Sequence, residues 1–141
     1  MKKVAIFLDF DGVFHPLMGA TNHFCDLKNF EAAMKEYSQI LDVDFIISSS
    51  WKNRYSIEEI KSFFSKEIAE KIIGVTEEKS TGDGARYASD QEFMKNSNYD
   101  YWLALDDDHY AWNRVENLVW CHDEFKDREV AILKERLDKL A

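Results

Sequence analysis

Acidic residues follow two apolar runs of this chain. Asp9 and Asp11 end the first run, and Asp106 and Asp107 end a later one. Carboxylates that lie close together cannot all ionise without compensation by protonation, by a basic partner or by a divalent cation. Mg²⁺ fits such a pattern best, because it uses one or two carboxylates, keeps several waters and completes its shell with substrate phosphate. If the two runs are neighbours, the acids predict a magnesium site that receives a phosphate group.

The apolar runs predict the strands that position these acids. Residues 4–8 form a continuous apolar run, which is typical of a strand covered on both faces. Further strands are predicted at 45–47, 71–75, 101–105 and 118–120. Helices are predicted at 27–41, 56–69 and 85–95, with another amphipathic helix at the C-terminus. This alternation predicts an α/β fold, a Rossmann-like three-layer sandwich around a mostly parallel sheet of about five strands.

In such sheets the ligand lies at the carboxyl ends of the strands. Asp9 and Asp11 follow the first strand, Ser48 follows the second, and Asp106 and Asp107 follow the fourth. At least four carboxylates therefore crowd one edge if the first and fourth strands are adjacent. The functional site is predicted at this edge.

Composition narrows the class of protein. The length of 141 residues predicts a single domain, 1–141. A net charge of −9 argues against broad electrostatic capture of nucleic acid, although it leaves room for a local basic patch. No apolar run approaches the roughly 20 residues that span a bilayer, and no signal-peptide pattern is found, so no membrane partner is expected. The spacing of Cys25 and Cys121 predicts two reduced thiols and a cytoplasmic location.

The order of these features resembles the haloacid-dehalogenase (HAD) superfamily of phosphotransferases. The resemblance covers residues 4–121 and consists of a strand followed by Asp-x-Asp-Gly-Val, a strand ending in serine, a cation, and a strand ending in paired acids. A closer resemblance is to the HAD-type domain of Swiss Army knife RNA-repair proteins. The segments that carry it are DGVFHP, ISSSWK, IGVT and LDDD.

The resemblance implies a role for each site residue. Asp9 would attack phosphorus to form an aspartyl-phosphate and would also bind Mg²⁺. Asp11 would protonate the leaving oxygen and then activate water, and it is counted with the metal ligands. Asp106 and Asp107 would complete the metal site, one directly and the other through water. Ser48 would donate its hydroxyl to a phosphate oxygen.

A cation should neutralise the phosphate and the nucleophile. Arg86 is the favoured candidate because it begins a predicted helix ahead of the fourth strand, and Lys79 is the alternative. Next to the serines, Trp51, Lys52 and Arg54 could form a basic, aromatic lip around a phosphate or a base, or they could be a core tryptophan beside solvated cations. His15 could touch substrate or hold the loop that follows the first motif.

The gaps on either side of Ser48 are too short to contain a cap domain, so the site is expected to be open. An open site suits the end of a polymer or a phosphoprotein better than a small metabolite. The sequence thus predicts a Mg²⁺-dependent phosphomonoester hydrolase whose phosphorylated substrate is an RNA or DNA end. The alternatives are a phosphatase for nucleotides or other small phosphomonoesters, and a non-catalytic module that binds phosphate ends or a protein.

Overall fold

A computed structural model of the protein describes residues 1–18, 23–77, 85–108 and 115–141, and Lys79 lies outside these ranges. The strands are β1 (Lys3–Leu8), β2 (Asp42–Ile47), β3 (Ile72–Val75), β4 (Tyr101–Asp106) and β5 (Leu118–Trp120). The helices are α1 (Leu27–Lys35), α2 (Ile57–Lys61), α3 (Lys66–Ala69), α4 (Ala85–Met94) and α5 (Asp127–Asp138). Short 3-10 helices occur at Ser50–Asn53 and Val115–Asn117.

The five strands form one sheet in the order β3-β2-β1-β4-β5, and every pair is parallel. The predicted α/β, Rossmann-like fold without a cap domain is therefore confirmed. β1 lies in the centre, where Leu8 is level with Ile47 of β2 and Leu105 of β4. The residues that follow these three strands therefore lie side by side at one edge of the sheet. The first and fourth strands are adjacent, which was the condition for their acids to lie together.

Both faces of the sheet are covered, because alternate residues of each strand pack in opposite directions. Val4, Ile6 and Leu8 pack in the larger core cluster, which includes Phe30 of α1 and Leu133 of α5. The other face packs a smaller cluster, formed by Ala5, Phe7, Ile46, Ala104 and Leu118. Side chains of α4 cover that cluster, and the ring of Phe93 meets Phe7 edge-on at 6.0 Å.

Two predicted helices are shorter or more divided than their sequence pattern suggested. The predicted helix at 56–69 has the expected capping box at Ser56, but it is split into α2 and α3. Ser65 breaks it by adopting an extended backbone, and its N–H donates to Glu31 Oε2 of α1 at 3.1 Å. Similarly, α1 ends at Lys35, after which the chain turns toward β2. Tertiary contacts here outweigh a helical pattern that is weak on its own.

No helix among the described residues combines the length and the apolar character that crossing a bilayer requires.

Candidate active site

Three carboxylates converge at the carboxyl edge of the sheet. Asp9 follows β1, Asp106 ends β4, and Asp107 comes directly after it. Each of the three residues offers one carboxylate oxygen, and these three oxygens lie within 4.8 Å of one another. Asp9 and Asp106 are almost fully buried, whereas Asp107 is partly exposed. The group contains three of the four acids that the adjacency of the first and fourth strands predicted at this edge. Its geometry gives a divalent cation several oxygen ligands at a partly open position.

Burial makes these carboxylates costly to ionise. It raises the pKa of Asp9 well above its usual value, and the nearby charge of Asp106 raises it further. Burial also raises the pKa of Asp106 to about 6, although Arg86 opposes the shift. The pKa of Asp107 is raised by the same cause. Within the described residues the negative charge of the cluster is therefore only partly compensated, and a bound cation would compensate it further.

Arg86 is the cation that reaches this cluster. Its Nη1 donates to Asp106 Oδ2 at 3.0 Å and lies 3.7 Å from Asp9 Oδ1. The residue lies in the first turn of α4, as the sequence analysis anticipated for its favoured candidate. The guanidinium thus neutralises part of the charge on the nucleophile candidate.

Gly12 allows the loop after β1 to approach the metal candidates. Its φ of 78° is a conformation that residues with a side chain rarely adopt. A Cβ at this position would overlap the carboxylate of Asp107. The glycine after Asp11 is therefore required both by the turn and by the close packing of two strand ends.

Ser48 lies at the end of β2 with an uncommitted hydroxyl. The side chain is 1% exposed, and its Oγ has no hydrogen-bond partner among the described residues. A buried hydroxyl without a partner carries an energetic penalty, which a bound oxyanion would remove. Beside it, Lys52 Nζ lies 3.3 Å from both the Ser48 carbonyl oxygen and the Thr76 hydroxyl. Ser48, the residue predicted to bind phosphate, therefore lies next to a second cation, Lys52.

Asp11 is not part of the three-carboxylate cluster. Its Oδ1 lies 2.7 Å from His15 Nε2 and accepts a hydrogen bond from Trp51 Nε1 at 3.1 Å. The carboxylate is partly exposed, and its predicted part in metal binding stays a prediction. This position suits an acid and base that exchanges protons with a substrate or with water.

The predicted lip is only partly formed. Trp51 packs edge-on against Phe10 at 5.7 Å, inside the large aromatic cluster, and Lys52 turns toward Ser48. Arg54 is exposed and remains available to a ligand. The three residues therefore have different roles, since the tryptophan belongs to the core and to the Asp11 site at once.

The chain matches one family model, described as the HAD domain in Swiss Army Knife RNA repair proteins, over residues 5–130. It belongs to this family. Neither curated proteins nor solved structures gave a match. HAD domains are generally hydrolases, phosphatases among them, and they typically use Mg²⁺. The acidic cluster of this HAD domain lies where such an ion is expected.

One buried acid of this HAD domain was not among the predicted site residues. Asp90 lies on α4 four residues after Arg86, so both point from one face of the helix. It is fully buried with neither carboxylate oxygen hydrogen-bonded among the described residues. Burial raises its pKa well above the usual value, and the charge on Asp106 adds to the shift. Its helical spacing from Arg86 was the available signal.

Proposed function

We propose that this HAD domain is a Mg²⁺-dependent phosphatase that removes a terminal phosphate from a nucleic-acid strand by way of an aspartyl-phosphate on Asp9. The observation that carries the proposal is the juxtaposition of a buried carboxylate cluster with a buried serine hydroxyl that has no hydrogen-bond partner among the described residues. The carboxylate cluster favours the binding of a cation, and the serine hydroxyl favours the binding of an oxyanion. A phosphate bound together with Mg²⁺ provides both.

The residues present fit a magnesium ion. Asp9, Asp106 and Asp107 would hold it through hard oxygen ligands, which Mg²⁺ prefers. The raised pKa of each carboxylate indicates that its negative charge is unfavourable there, and a bound cation would stabilise that charge. When bound, Mg²⁺ would polarise the phosphoryl group and offset the charge that develops in the transition state.

The chain's own residues act in two successive steps of the proposed reaction. Asp9 attacks phosphorus, while Arg86 and Ser48 hold the phosphate oxygens in place. Asp11 gives a proton to the leaving oxygen, so the ester bond breaks without release of a free alkoxide. In the second half, Asp11 takes a proton from the water that attacks the aspartyl-phosphate, and Asp9 is regenerated.

An exposed aromatic residue beside the cluster supports a nucleic-acid substrate. Trp120 is 40% exposed, and its indole N–H donates to the carbonyl oxygen of Asp107 at 3.0 Å. The ring of His122 packs edge-on against it at 4.4 Å. A fixed indole face next to a phosphate site can stack on a base. The RNA-repair description of the family and the absence of a cap domain agree with this substrate class.

We also infer that the reaction takes place in the cytoplasm. Cys25 and Cys121 are both free thiols in the structure. Unpaired thiols are typical of a reducing compartment.

The experiment that tests the proposal is a phosphate-release screen with Mg²⁺. Mononucleotides, oligonucleotides with a 3′- or 5′-phosphate, and phosphopeptides are compared by kcat/KM. We expect a phosphorylated oligonucleotide to be the best substrate, and Trp120→Ala to lower its kcat/KM more than that of the mononucleotide. A mononucleotide that equals or exceeds the oligonucleotide would replace the polymer with a small phosphomonoester. Absence of release from every substrate would leave a phosphate-binding module.

A further inference from the structure

We propose that His15 and Trp51 are positioning residues that hold Asp11 by one carboxylate oxygen, so that the other oxygen, Oδ2, exchanges the proton in both halves of the reaction. The inference rests on the proposed function, because it concerns the acid and base of that reaction. It adds a division of labour between the two oxygens and names the groups that impose it.

Both contacts converge on one atom. Asp11 Oδ1 lies 2.7 Å from His15 Nε2 and 3.1 Å from Trp51 Nε1. The indole N–H is always a donor, so its direction is fixed. No described residue hydrogen-bonds to Oδ2. Because a carboxylate with one oxygen held by two donors loses its freedom to rotate, the position of the remaining oxygen is fixed as well, and the side chain is 34% exposed.

The surroundings of His15 decide which of its nitrogens carries the proton. The backbone N–H of Phe24 donates to His15 Nδ1 at 3.1 Å, so Nδ1 must be the acceptor. The proton of the neutral ring is then on Nε2, which donates to Asp11. The imidazole is 1% exposed, and its ring packs against Trp51 at 5.5 Å. The rings of His15 and Trp51 therefore also stabilise each other's positions by packing together.

Backbone strain supports this assignment. Phe24 has a φ of 62°, a left-handed conformation that is unfavourable for a bulky residue. Such conformations persist where the surrounding structure imposes them, and they concentrate at functional sites. Here the surrounding rings of Phe10 and Trp51 hold Phe24 at centroid distances of 5.2 and 5.1 Å. The strained residue is the one whose N–H fixes the histidine tautomer.

The proton balance of the two steps follows from this arrangement. In the first, the bond from Asp9 to phosphorus forms, the bond to the leaving oxygen breaks, and the proton on Asp11 Oδ2 passes to that oxygen. In the second, water attacks phosphorus, its proton passes to Oδ2, and the bond from Asp9 to phosphorus breaks. Oδ1 stays bound to both donors throughout.

Single substitutions that remove one donor test the inference. Trp51→Phe keeps a ring but removes the N–H, and His15→Leu removes the other donor. Each should lower kcat by roughly 10- to 100-fold for a substrate with a poor alcohol leaving group, while KM changes less than about twofold. The loss should be much smaller with nitrophenyl phosphate, which needs little protonation. His15→Gln, which keeps a donor near the Nε2 position, should recover part of the rate.

The matched control is Tyr55→Phe. Tyr55 stacks on Trp51 at 5.4 Å but makes no contact with Asp11, so kcat should not change. In an Asp11→Asn background, Trp51→Phe should cause no further loss, because both changes act on one group. Equal losses with good and poor leaving groups, or a full further loss in the Asp11→Asn background, would overturn the inference.

A measurement without turnover separates this inference from the proposed function. Nitrogen-15 NMR of the histidine rings should show His15 protonated at Nε2 and accepting at Nδ1. The Nε2 resonance should move in Asp11→Asn and stay in place in Tyr55→Phe. A wild-type protein that releases no phosphate from any substrate would refute the proposed function. An Nδ1-protonated His15 in an active enzyme would refute only the positioning role.

Discussion

The two edges of the sheet both carry acids, but among the described residues the acids of one edge are compensated more fully than those of the other. At the amino edge, Lys71 Nζ lies 3.0 Å from Asp42 and 3.5 Å from Asp44, and the hydroxyl of Tyr99 donates to Asp44 at 2.7 Å. These groups are also partly exposed, so water screens their charges. The acids of the amino edge are therefore satisfied within the described chain.

At the carboxyl edge, more deeply buried acids share less positive charge. Asp9, Asp106 and Asp107 lie together, and Arg86 is the cation that contacts the first two. The pKa of all three carboxylates is raised there, with burial as the main cause. A cluster of acids is therefore not by itself evidence of a metal site. Burial without sufficient compensation distinguishes the two edges.

The largest difference between the edges should appear on substitution of the proposed nucleophile. Asp9→Asn keeps the shape of the side chain but removes the attacking carboxylate, so turnover should fall by several orders of magnitude. The matched change at the amino edge, Asp42→Asn, should leave kcat within about twofold of the wild type. Phosphate release measures both. A similar loss in the two variants would mean that the edge of the sheet on which the aspartate lies does not determine the effect of its substitution on activity.

Asp11→Asn should have the next largest effect. It leaves the nucleophile intact but removes the acid, so the first step should slow by roughly 10²–10⁴. The loss should be smallest with nitrophenyl phosphate, whose leaving group needs little protonation. Rapid-quench detection of the acyl-phosphate measures this step directly. If good and poor leaving groups were slowed equally, Asp11 would not be the acid.

The charge deficit at the carboxyl edge should also appear in stability without metal. The folded-state pKa of Asp106 is raised to about 6 from an unfolded value of 3.8, so the folded state binds more protons between these pH values. The free energy of unfolding in chelator should therefore fall as pH rises through this window, by on the order of 3 kcal/mol from Asp106. Urea denaturation at several pH values measures the slope.

Saturating Mg²⁺ is the control for that experiment. The ion favours the ionised carboxylates of the folded state, so it should remove or reverse the slope and raise the stability at pH 7. A stability that is independent of pH between 4 and 6 in chelator, or that does not respond to Mg²⁺, would show that Arg86 already compensates the acids.

The smallest effect is expected at the amino edge. Lys71→Met removes a half-exposed ion pair with Asp42 and Asp44, which should cost at most about 1 kcal/mol of unfolding free energy. Since this edge lies at the opposite ends of the strands from the site, kcat should not change. Thermal denaturation and phosphate release together check the result. A loss of activity without a loss of stability would show that the two edges are coupled.

Much of the carboxyl edge could be predicted because parallel strands align their ends. The motif acids, Ser48 and Arg86 each occur at a strand end or helix start that has a clear local signal, and the order of the strands brings them together. Adjacency of β1 and β4 was the one assumption that the sequence could not settle. It depends on the packing of the whole sheet.

The environment of Asp11 was harder to predict because its partners come from loops. His15 lies only four residues away, but its orientation depends on the N–H of Phe24, and Trp51 comes from beyond β2. The break between α2 and α3 is similar, since it depends on a contact from Ser65 to α1. Local patterns predict elements, whereas such contacts depend on how the elements meet.

Calorimetric titration with Mg²⁺ tests the difference between the edges most directly. We expect one Mg²⁺ bound per chain in the wild type and binding at least tenfold weaker in both Asp106→Asn and Asp107→Asn, because each change removes a proposed carboxylate ligand. Asp42→Asn and Asp44→Asn should bind the ion as the wild type does. No binding to the wild type, or equal weakening by substitutions at the two edges, would contradict the claim that uncompensated burial makes the carboxyl edge the metal site.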